Sequence, residues 1–134
     1  MTPRASILLP AFDAAATLPA CLRSVQRQTE PGWECVLVDD GSTDDTAALV
    51  RDFAARDARF AVVSTPHQGL VAALRAGVEA CRAPVVVRMD ADDVMHRHRL
   101  AAQLAALAAA PTLTAVGCHV RIFPRAGLRD DINT

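Results

Sequence analysis

Two acidic segments that follow apolar runs carry the residues best suited to chemistry in this sequence. Residues 36–46 read "VLVDDGSTDDT", and residues 85–93 read "VVVRMDADD". Carboxylates so close together repel one another unless a cation or hydrogen-bond donors lie nearby. Mg²⁺ and Mn²⁺ take oxygen ligands and are commonly held by one or two carboxylates together with substrate phosphates. The sequence therefore predicts a site for a divalent cation, Mn²⁺ or Mg²⁺, that neutralises a phosphate-bearing ligand.

A structural role explains some of the aspartates in the first segment better than others. Asp44 and Asp45 lie where a turn leads into a helix, and acidic residues are favoured there. Ser42, three residues before Asp45, suggests a capping box with Asp in place of Glu. Asp39 and Asp40 still belong to the strand end, which neither the turn nor the helix explains. We therefore favour a functional role for these two residues.

The spacing of Asp90 and Asp92 is the stronger signal. Carboxylates two residues apart on a strand end or tight turn can both face one crevice and share one cation. An Asp-x-Asp pattern is common by chance, but a second strand of this chain also ends in acid. The two acidic strand ends together favour a ligand site.

Strand and helix patterns alternate around these segments. Apolar runs predict strands at residues 5–10, 35–38, 60–63, 84–89 and 115–122. Apolar residues at helical spacing predict helices around residues 18–25, 49–53, 70–81 and 100–107. This alternation, with strands that are apolar throughout, predicts an α/β fold with an open, mainly parallel sheet and helices on both faces. Such sheets bind ligands outside the carboxyl ends of their strands, where both acidic segments would lie.

Composition limits the classes of function. The chain has 134 residues and a net charge of −1, so it fits one domain and no charge excess favours nucleic acid or an anionic membrane. No apolar run approaches the roughly 20 residues of a membrane span, and no targeting pattern is evident, which predicts a cytoplasmic protein. Cys21, Cys35, Cys81 and Cys118 are widely spaced within apolar segments. We expect free, buried thiols and no structural zinc site.

At this point the motifs resemble a known family. "SILLPAFDAAATLPACLRSVQRQT", "VLVDDGSTDDT", "HQGLVAALRAGVEAC", "VVVRMDADDVMHRHRLAAQLAAL" and "AVGCHV" occur in this order and spacing. Together they resemble the nucleotide-sugar-binding half of an inverting family 2 glycosyltransferase of the Rossmann-like GT-A fold. The resemblance covers residues 1–123 and leaves residues 124–134 as a polar tail. It implies transfer of a sugar, with inversion and metal dependence, from a nucleoside diphosphate donor, with a UDP-sugar favoured.

The resemblance also implies roles for individual residues. Asp40 would accept a hydrogen bond from the imide N–H of a uracil ring, and Asp39 would support the turn. Asp92 would hold the metal, with Asp90 as a second candidate ligand beside the ribose and diphosphate. The remaining donor-binding residues would be Pro10, Ala11, Phe12, Gly69 and Ala91.

Several positions depart from the family pattern. Asp13 and His67 stand where the family usually has Asn, and Arg75 stands where Asn is frequent. Arg97 replaces a proline that often opens the following helix. Arg75 fits a solvated helix position as well as a diphosphate contact. Of the histidines, we expect only His96 to lie near the metal.

The family's acceptor-binding half normally follows this part and supplies the general base. Nothing after Val120 resembles it, and Asp130 and Asp131 do not sit in its motif. We therefore expect a truncated chain that binds donor but transfers no sugar, with the catalytic base unassigned. The acceptor, a glycan, lipid or other molecule, is not identified by the sequence, and exposed apolar surface leaves homo-oligomerisation open.

Other function classes fit the sequence less well. A dehalogenase-like phosphatase needs its Asp-x-Asp motif on the first strand and a lysine downstream, whereas this chain has the motif on the fourth predicted strand and contains no lysine. A receiver-type signalling domain needs an acidic pair after its first strand, where this chain offers Asp13 alone. A catalytically inactive nucleotide-binding fragment is the alternative that stays open.

Overall fold

Strands and helices alternate along the part of the chain that the computed structural model describes, residues 2–123. The elements, in chain order, are β1 (Ala5–Ala11), α1 (Leu18–Gln26), β2 (Trp33–Asp39), α2 (Thr46–Arg56), β3 (Phe60–Ser64), α3 (Leu70–Ala80), β4 (Val85–Arg88) and α4 (Arg99–Ala109). The strand pairs β1–β2, β1–β4 and β2–β3 are all parallel. The predicted α/β fold and the four helices are confirmed. No helix within residues 2–123 is long and apolar enough to cross a bilayer.

The strand order brings both acidic segments to the same edge of the sheet. The order is β3-β2-β1-β4, so β1 lies between the strands that carry the two segments. Ala11 at the end of β1 is paired with Asp39 at the end of β2, and Leu8 is paired with Arg88 near the end of β4. The chain passes from β1 outward to β3 and then crosses to the other side of β1. The carboxyl ends of β1 and β4 therefore flank a topological switch point, where open α/β sheets bind ligands.

Helices cover both faces of the sheet. On one face, Ala73 of α3 packs with Leu8, Val36 and Val38. On the other face, α1, α2 and α4 pack on a larger apolar cluster that includes Ile7, Leu9 and Leu37 of β1 and β2. The two central strands are thus buried on both sides, which explains why they read as continuous apolar runs.

A glycine lets α3 lie close to the sheet. A Cβ at Gly77 would lie 2.2 Å from Cδ1 of Leu8 and 2.7 Å from Cγ2 of Val38. The small residue brings α3, and the loop that precedes it, down onto β1 and β2. This loop belongs to the candidate site.

The predicted strand at residues 115–122 is wrong. These residues form no strand in the structure, and Val120 and Ile122 are 80% and 95% exposed. β-Branched and apolar residues favour a strand only where a neighbouring strand accepts their backbone and a core covers one face. None of the strand pairs among the described residues supplies that neighbour. Residues 124–134, predicted as a polar tail, lie outside the described residues, as do Asp130 and Asp131.

The burial of each cysteine depends on whether its segment belongs to the packed sheet and helices. All four are free, as predicted, and Cys21 and Cys35 are buried. The expectation of burial is wrong for Cys118, which is exposed because residues 115–122 join no strand of the sheet, and only half correct for Cys81, which is partly exposed.

Candidate functional site

The carboxylate of Asp40 lies buried beneath the loop that leads into α3, with 5% of its side chain exposed. Oδ1 accepts hydrogen bonds from the backbone N–H of Gln68 at 3.1 Å and the hydroxyl of Thr65 at 3.4 Å. Oδ2 accepts from the backbone N–H of Gly69 at 3.1 Å and from Nδ1 of His67 at 3.0 Å. A carboxylate offers about four lone-pair sites, so its accepting capacity is filled.

These hydrogen bonds control the charge of Asp40. Burial alone would raise the pKa of this carboxyl, but the bonds from Gln68, His67 and Gly69 outweigh it and hold the pKa below its usual range. Asp40 is therefore ionised near neutral pH and can only accept. It follows that Nδ1 of His67 carries a proton where it meets Oδ2.

The loop can reach Asp40 because the next residue is glycine. Gly41 has a φ of 68°, a conformation that favours glycine. A Cβ at this position would lie 2.6 Å from the backbone nitrogen of His67. The glycine of "VLVDDGSTDDT" thus makes room for the loop above Asp40.

An aromatic stack borders the same space. The rings of Phe12 and His67 lie 3.9 Å apart between centroids, at an interplanar angle of 15°. Beside them opens a cleft of about 260 Å³, which we call the β1–α3 cleft. Its lining residues are Pro10, Ala11, Phe12, Asp40, His67, Gly69, Leu70 and Ala73.

The cleft brings together most of the residues singled out from the sequence. Pro10, Ala11, Phe12, Asp40 and Gly69 all line it, whereas Ala91 and the aspartates after β4 do not. Sequence reasoning missed the place of His67. The signal was present, because this residue departs from the family's usual Asn two positions before Gly69.

The turn after β1 is locked to the turn after β2 by Asp13. Its φ is 47°, a left-handed conformation that Asp and Asn tolerate better than most residues. Its Oδ1 accepts from the backbone N–H groups of Thr43 at 2.7 Å and Asp44 at 3.3 Å. In return, the Oγ of Ser42 accepts from the backbone N–H of Asp13 at 3.1 Å. The departure from Asn at position 13 therefore preserves an acceptor that the turn uses.

The predicted capping box of Ser42 and Asp45 is wrong. Helix α2 begins at Thr46, and Asp45 makes no side-chain capping hydrogen bond. The Oγ of Ser42 is instead used by the turn after β1. Asp44 accepts from the backbone N–H of Thr46 at 2.9 Å, and Oδ1 of Asp39 accepts from that of Ser42 at 3.1 Å.

The acidic turn, residues 90–93, follows β4 on the other side of β1. Asp90 and Asp92 are exposed, and Asp90 pairs with the guanidinium of Arg88 at 3.0 Å. Burial, followed by the charges of Asp92 and Asp90, raises the pKa of Asp93. Among residues 2–123, Asp92 has no hydrogen bond or ion pair, so both of its oxygens are available to a ligand.

Helix α1 holds the backbone of the acidic turn. Thr17 Oγ1 donates to the carbonyl of Ala91 at 3.1 Å, and Cys21 Sγ donates to the carbonyl of Asp90 at 3.4 Å. Burial first, and then the carboxylates of the acidic turn, raise the pKa of the Cys21 thiol, so it stays protonated and donates. Two carbonyls of the turn are thereby fixed while its carboxylates face outward.

Gln28, just beyond the end of α1, fixes the segment that leads from the acidic turn to α4. Its Nε2 donates to the carbonyl of His96 at 2.8 Å, and its Oε1 accepts from the backbone N–H of Leu100 at 3.1 Å. Ser24 adds a bond by accepting from the N–H of Met95 at 2.9 Å. The Gln-Thr ending of the first helical motif therefore has a structural reason that the spacing alone did not reveal.

The chain's own donors do not form a complete metal site. No group of three or more His, Cys, Asp and Glu side chains that could hold a metal ion occurs in residues 2–123. His96, expected near the metal, accepts a hydrogen bond from the N–H of His98 on its Nδ1 at 3.2 Å. The oxygen donors of the acidic turn fit Mn²⁺ or Mg²⁺ only if a ligand such as a diphosphate completes the coordination shell.

The chain is similar to known glycosyltransferases. A family profile described as Glycosyl transferase family 2 matches residues 6–131. The PGL/p-HBAD biosynthesis glycosyltransferase of Mycobacterium bovis (strain BCG / Pasteur 1173P2) is 37% identical over 105 residues, 78% of this chain and 41% of that protein. The chain thus spans less than half the length of this relative.

Solved structures show the same architecture. The mannosyltransferase PcManGT from Pyrobaculum calidifontis, in complex with GDP-Man and Mn²⁺, matches with a TM-score of 0.82 and 30% identity over 90% of this chain and 36% of that one. S. aureus TarS 1–349 in complex with UDP matches with a TM-score of 0.68 and 20% identity over 79% of this chain and 32% of that one. The second likeness concerns the fold alone. Together they confirm the fold predicted from the sequence.

Proposed function

The chain belongs to glycosyl transferase family 2, as its motifs predicted, and we propose that it forms the donor-binding part of an enzyme that transfers a sugar from a nucleoside diphosphate to an acceptor with inversion. Two features at the carboxyl edge of the sheet support this. The β1–α3 cleft offers about 260 Å³ beside the ring of Phe12 for a base, and the acidic turn offers carboxylates for a cation. They lie on the two sides of β1, as a nucleoside and its diphosphate would require.

In this proposal the base of the donor lies in the β1–α3 cleft. Phe12 provides an aromatic face, Pro10 and Ala11 provide the wall at the end of β1, and Gly69 leaves the α3 side open. Asp40 accepts from a ring N–H of the base. Uracil is the favoured base, although the related mannosyltransferase PcManGT was solved with GDP-Man, and guanine also carries a ring N–H.

The diphosphate is proposed to lie over the acidic turn, bound through Mn²⁺ or Mg²⁺. Asp92 is the first candidate ligand, because it completes the Asp-x-Asp pattern and its oxygens make no other bond among the described residues; Asp90, which pairs with Arg88, is the second. When bound, the cation would neutralise charge on the departing diphosphate. Arg88 beside Asp90 would adjust the charge of the turn when the cation is absent.

The residues of the β1–α3 cleft and the acidic turn bind and orient the donor, and they do not bind the acceptor. Direct displacement at the anomeric carbon with inversion needs a base that takes the proton of the acceptor hydroxyl. No residue of the β1–α3 cleft or the acidic turn is assigned that role, and the general base and the acceptor are not identified. Fixing the donor for attack from one side is a large part of the catalytic task, since orientation alone accounts for several kcal/mol of the barrier.

The observation that carries the proposal is the pairing of the β1–α3 cleft with the acidic turn across β1. A thermal-shift panel of UDP, GDP, CDP and ADP, each with and without Mn²⁺, tests it. A ligand at a hundred times its Kd stabilises a protein by roughly 2.7 kcal/mol, so a bound nucleotide raises the melting temperature clearly. We expect stabilisation by UDP or GDP that requires Mn²⁺. No stabilisation by any nucleotide would contradict the proposal.

A further inference from the structure

The imidazole of His67 fills the space between Phe12 and Asp40. One face of the ring lies flat on Phe12, with centroids 3.9 Å apart, and its Nδ1–H points at Oδ2 of Asp40 at 3.0 Å. Its side chain is nevertheless 54% exposed. A planar ring with one N–H is thus held by an aromatic face and a carboxylate at the edge of the β1–α3 cleft.

These are the contacts that the proposed function requires of a nucleobase. A base would stack on Phe12 and donate a ring N–H to Asp40. His67 already covers one face of Phe12. Each oxygen of Asp40 already accepts two hydrogen bonds, and a carboxylate has room for about four. A base can make its hydrogen bond only after one of the four donors leaves.

Of these donors, His67 is the one whose departure frees both Oδ2 of Asp40 and a face of Phe12. Gln68 and Gly69 donate through backbone N–H groups, and these can move only if the loop before α3 moves. The hydroxyl of Thr65 shares its one proton between Oδ1 of Asp40 at 3.4 Å and the carbonyl of Asp39 at 3.5 Å, and its departure would leave the face of Phe12 covered. Nδ1 of His67 also lies 3.2 Å from the backbone carbonyl of Asp40. Both contacts belong to one half-exposed ring, so rotation of this side chain into solvent breaks them together.

We propose that His67 occupies the base position of the β1–α3 cleft in the free chain and that nucleotide binding displaces it. This inference rests on the proposed function. It makes His67 a specificity-determining residue, because the incoming base must replace both the stack on Phe12 and an N–H donated to Asp40. Bases with a ring N–H, such as uracil, thymine and guanine, meet that requirement. Cytosine presents a ring nitrogen without a proton and can donate to Asp40 only through its exocyclic amino group, so we expect it to bind more weakly than uracil.

Substitution of His67 distinguishes a residue that the base displaces from a residue that lines the pocket and contacts the bound base. In His67→Ala the competing ring is absent, so UDP should bind about tenfold more tightly, since the lost competitor is one hydrogen bond to a carboxylate and one ring stack. A wall residue that contacts the bound base would have the opposite effect. His119→Ala is the matched control, because His119 is exposed and lies in residues 115–122, outside the cleft.

Isothermal titration of UDP, and separately of GDP, in the presence of Mn²⁺ into the unaltered chain, His67→Ala and His119→Ala tests the inference. We expect tighter binding for His67→Ala alone. Equal or weaker binding by His67→Ala, with measurable binding by the unaltered chain, would overturn the inference and leave the proposed function standing. Absence of UDP and GDP binding in all three proteins would overturn both.

The position of the ring provides a second readout. In the free chain, the ring current of Phe12 should shift the imidazole proton resonances of His67 away from those of a solvated histidine. Saturation with UDP should return them toward the solvated values. Resonances that keep their shift in the UDP complex would show that the ring stays in place, and would overturn the displacement.

Discussion

Four hydrogen-bond donors converge on the buried carboxylate of Asp40, and two of them come from the backbone of one loop. The residue therefore has a structural and a ligand-binding role in the same place. Its charge holds the loop before α3 above the end of β2. The same charge faces the base position, which His67 now occupies. An effect of substitution on stability is thus expected beside any effect on nucleotide binding.

Asp40→Asn should weaken both the fold and the binding of UDP. One carboxylate oxygen becomes an NH₂ group. In one orientation this group faces the donors of Gly69 and His67, and in the other it faces those of Gln68 and Thr65. A buried donor left without an acceptor costs about 1–3 kcal/mol, and the loss of a charged acceptor weakens UDP by about tenfold or more. Urea unfolding and calorimetry measure the two effects. Asp45→Asn is the control, since Asp45 is exposed and makes no capping bond.

The stability difference between the unaltered chain and Asp40→Asn should depend on pH. The folded pKa of Asp40 lies below its unfolded value, which is about 3.9 for an aspartate. The stabilisation is therefore fully present above that unfolded value and is lost as pH falls through the lower, folded pKa. The two urea midpoints should differ most near neutral pH and converge in strong acid. A difference that grows with acidity would contradict this role of Asp40.

At the scale of elements, two turns and one helix end do most of the positioning. The turn after β1 and the turn after β2 exchange hydrogen bonds through Asp13 and Ser42. The end of α1 and Gln28 beyond it hold the segment after the acidic turn. These links fix the cleft and the acidic turn to neighbouring parts of one rigid sheet edge.

Asp13 offers a direct test of the interlocked turns. Asp13→Ala removes the acceptor for two backbone N–H groups and leaves alanine in a left-handed conformation, so we expect a loss of about 1–3 kcal/mol in the free energy of unfolding. Asp13→Asn keeps an acceptor and tolerates the backbone, and should stay within about 0.5 kcal/mol of the unaltered chain. Chemical denaturation compares the three proteins. Equal stability of the Ala and Asn variants would mean that the turns do not depend on this side chain.

The elements were predictable where one sequence pattern determined them. β1 and β2 read as apolar runs because both of their faces are covered, and the four helical faces follow from the spacing of apolar residues. Residues 115–122 have the composition of a strand but no strand beside them, and composition alone does not reveal a missing neighbour. Likewise, His67 and Asp40 are 27 residues apart in sequence and their contact depends on Gly41, so no local sequence pattern predicts it.

At the scale of the whole molecule, sheet topology explains why one edge carries the site. The crossover through α3 places β4 beside β1, so the acidic turn and the β1–α3 cleft flank the same strand end. A nucleoside diphosphate is the ligand class that would use both, with its base in the cleft and its phosphates over the turn. This joint use is the central claim, and it requires that the cation at the acidic turn and the nucleotide in the cleft bind together.

The most direct test is calorimetric titration of UDP and of GDP, with and without Mn²⁺, into the unaltered chain and Asp92→Asn. We expect Mn²⁺-dependent binding of at least one nucleotide to the unaltered chain, and its loss in Asp92→Asn, because the diphosphate then lacks its bridging cation. Asp45→Asn, which removes the same charge from an exposed aspartate outside the acidic turn, should keep the Mn²⁺ dependence. Nucleotide binding that is independent of Mn²⁺, or an unchanged Kd in Asp92→Asn, would contradict the account.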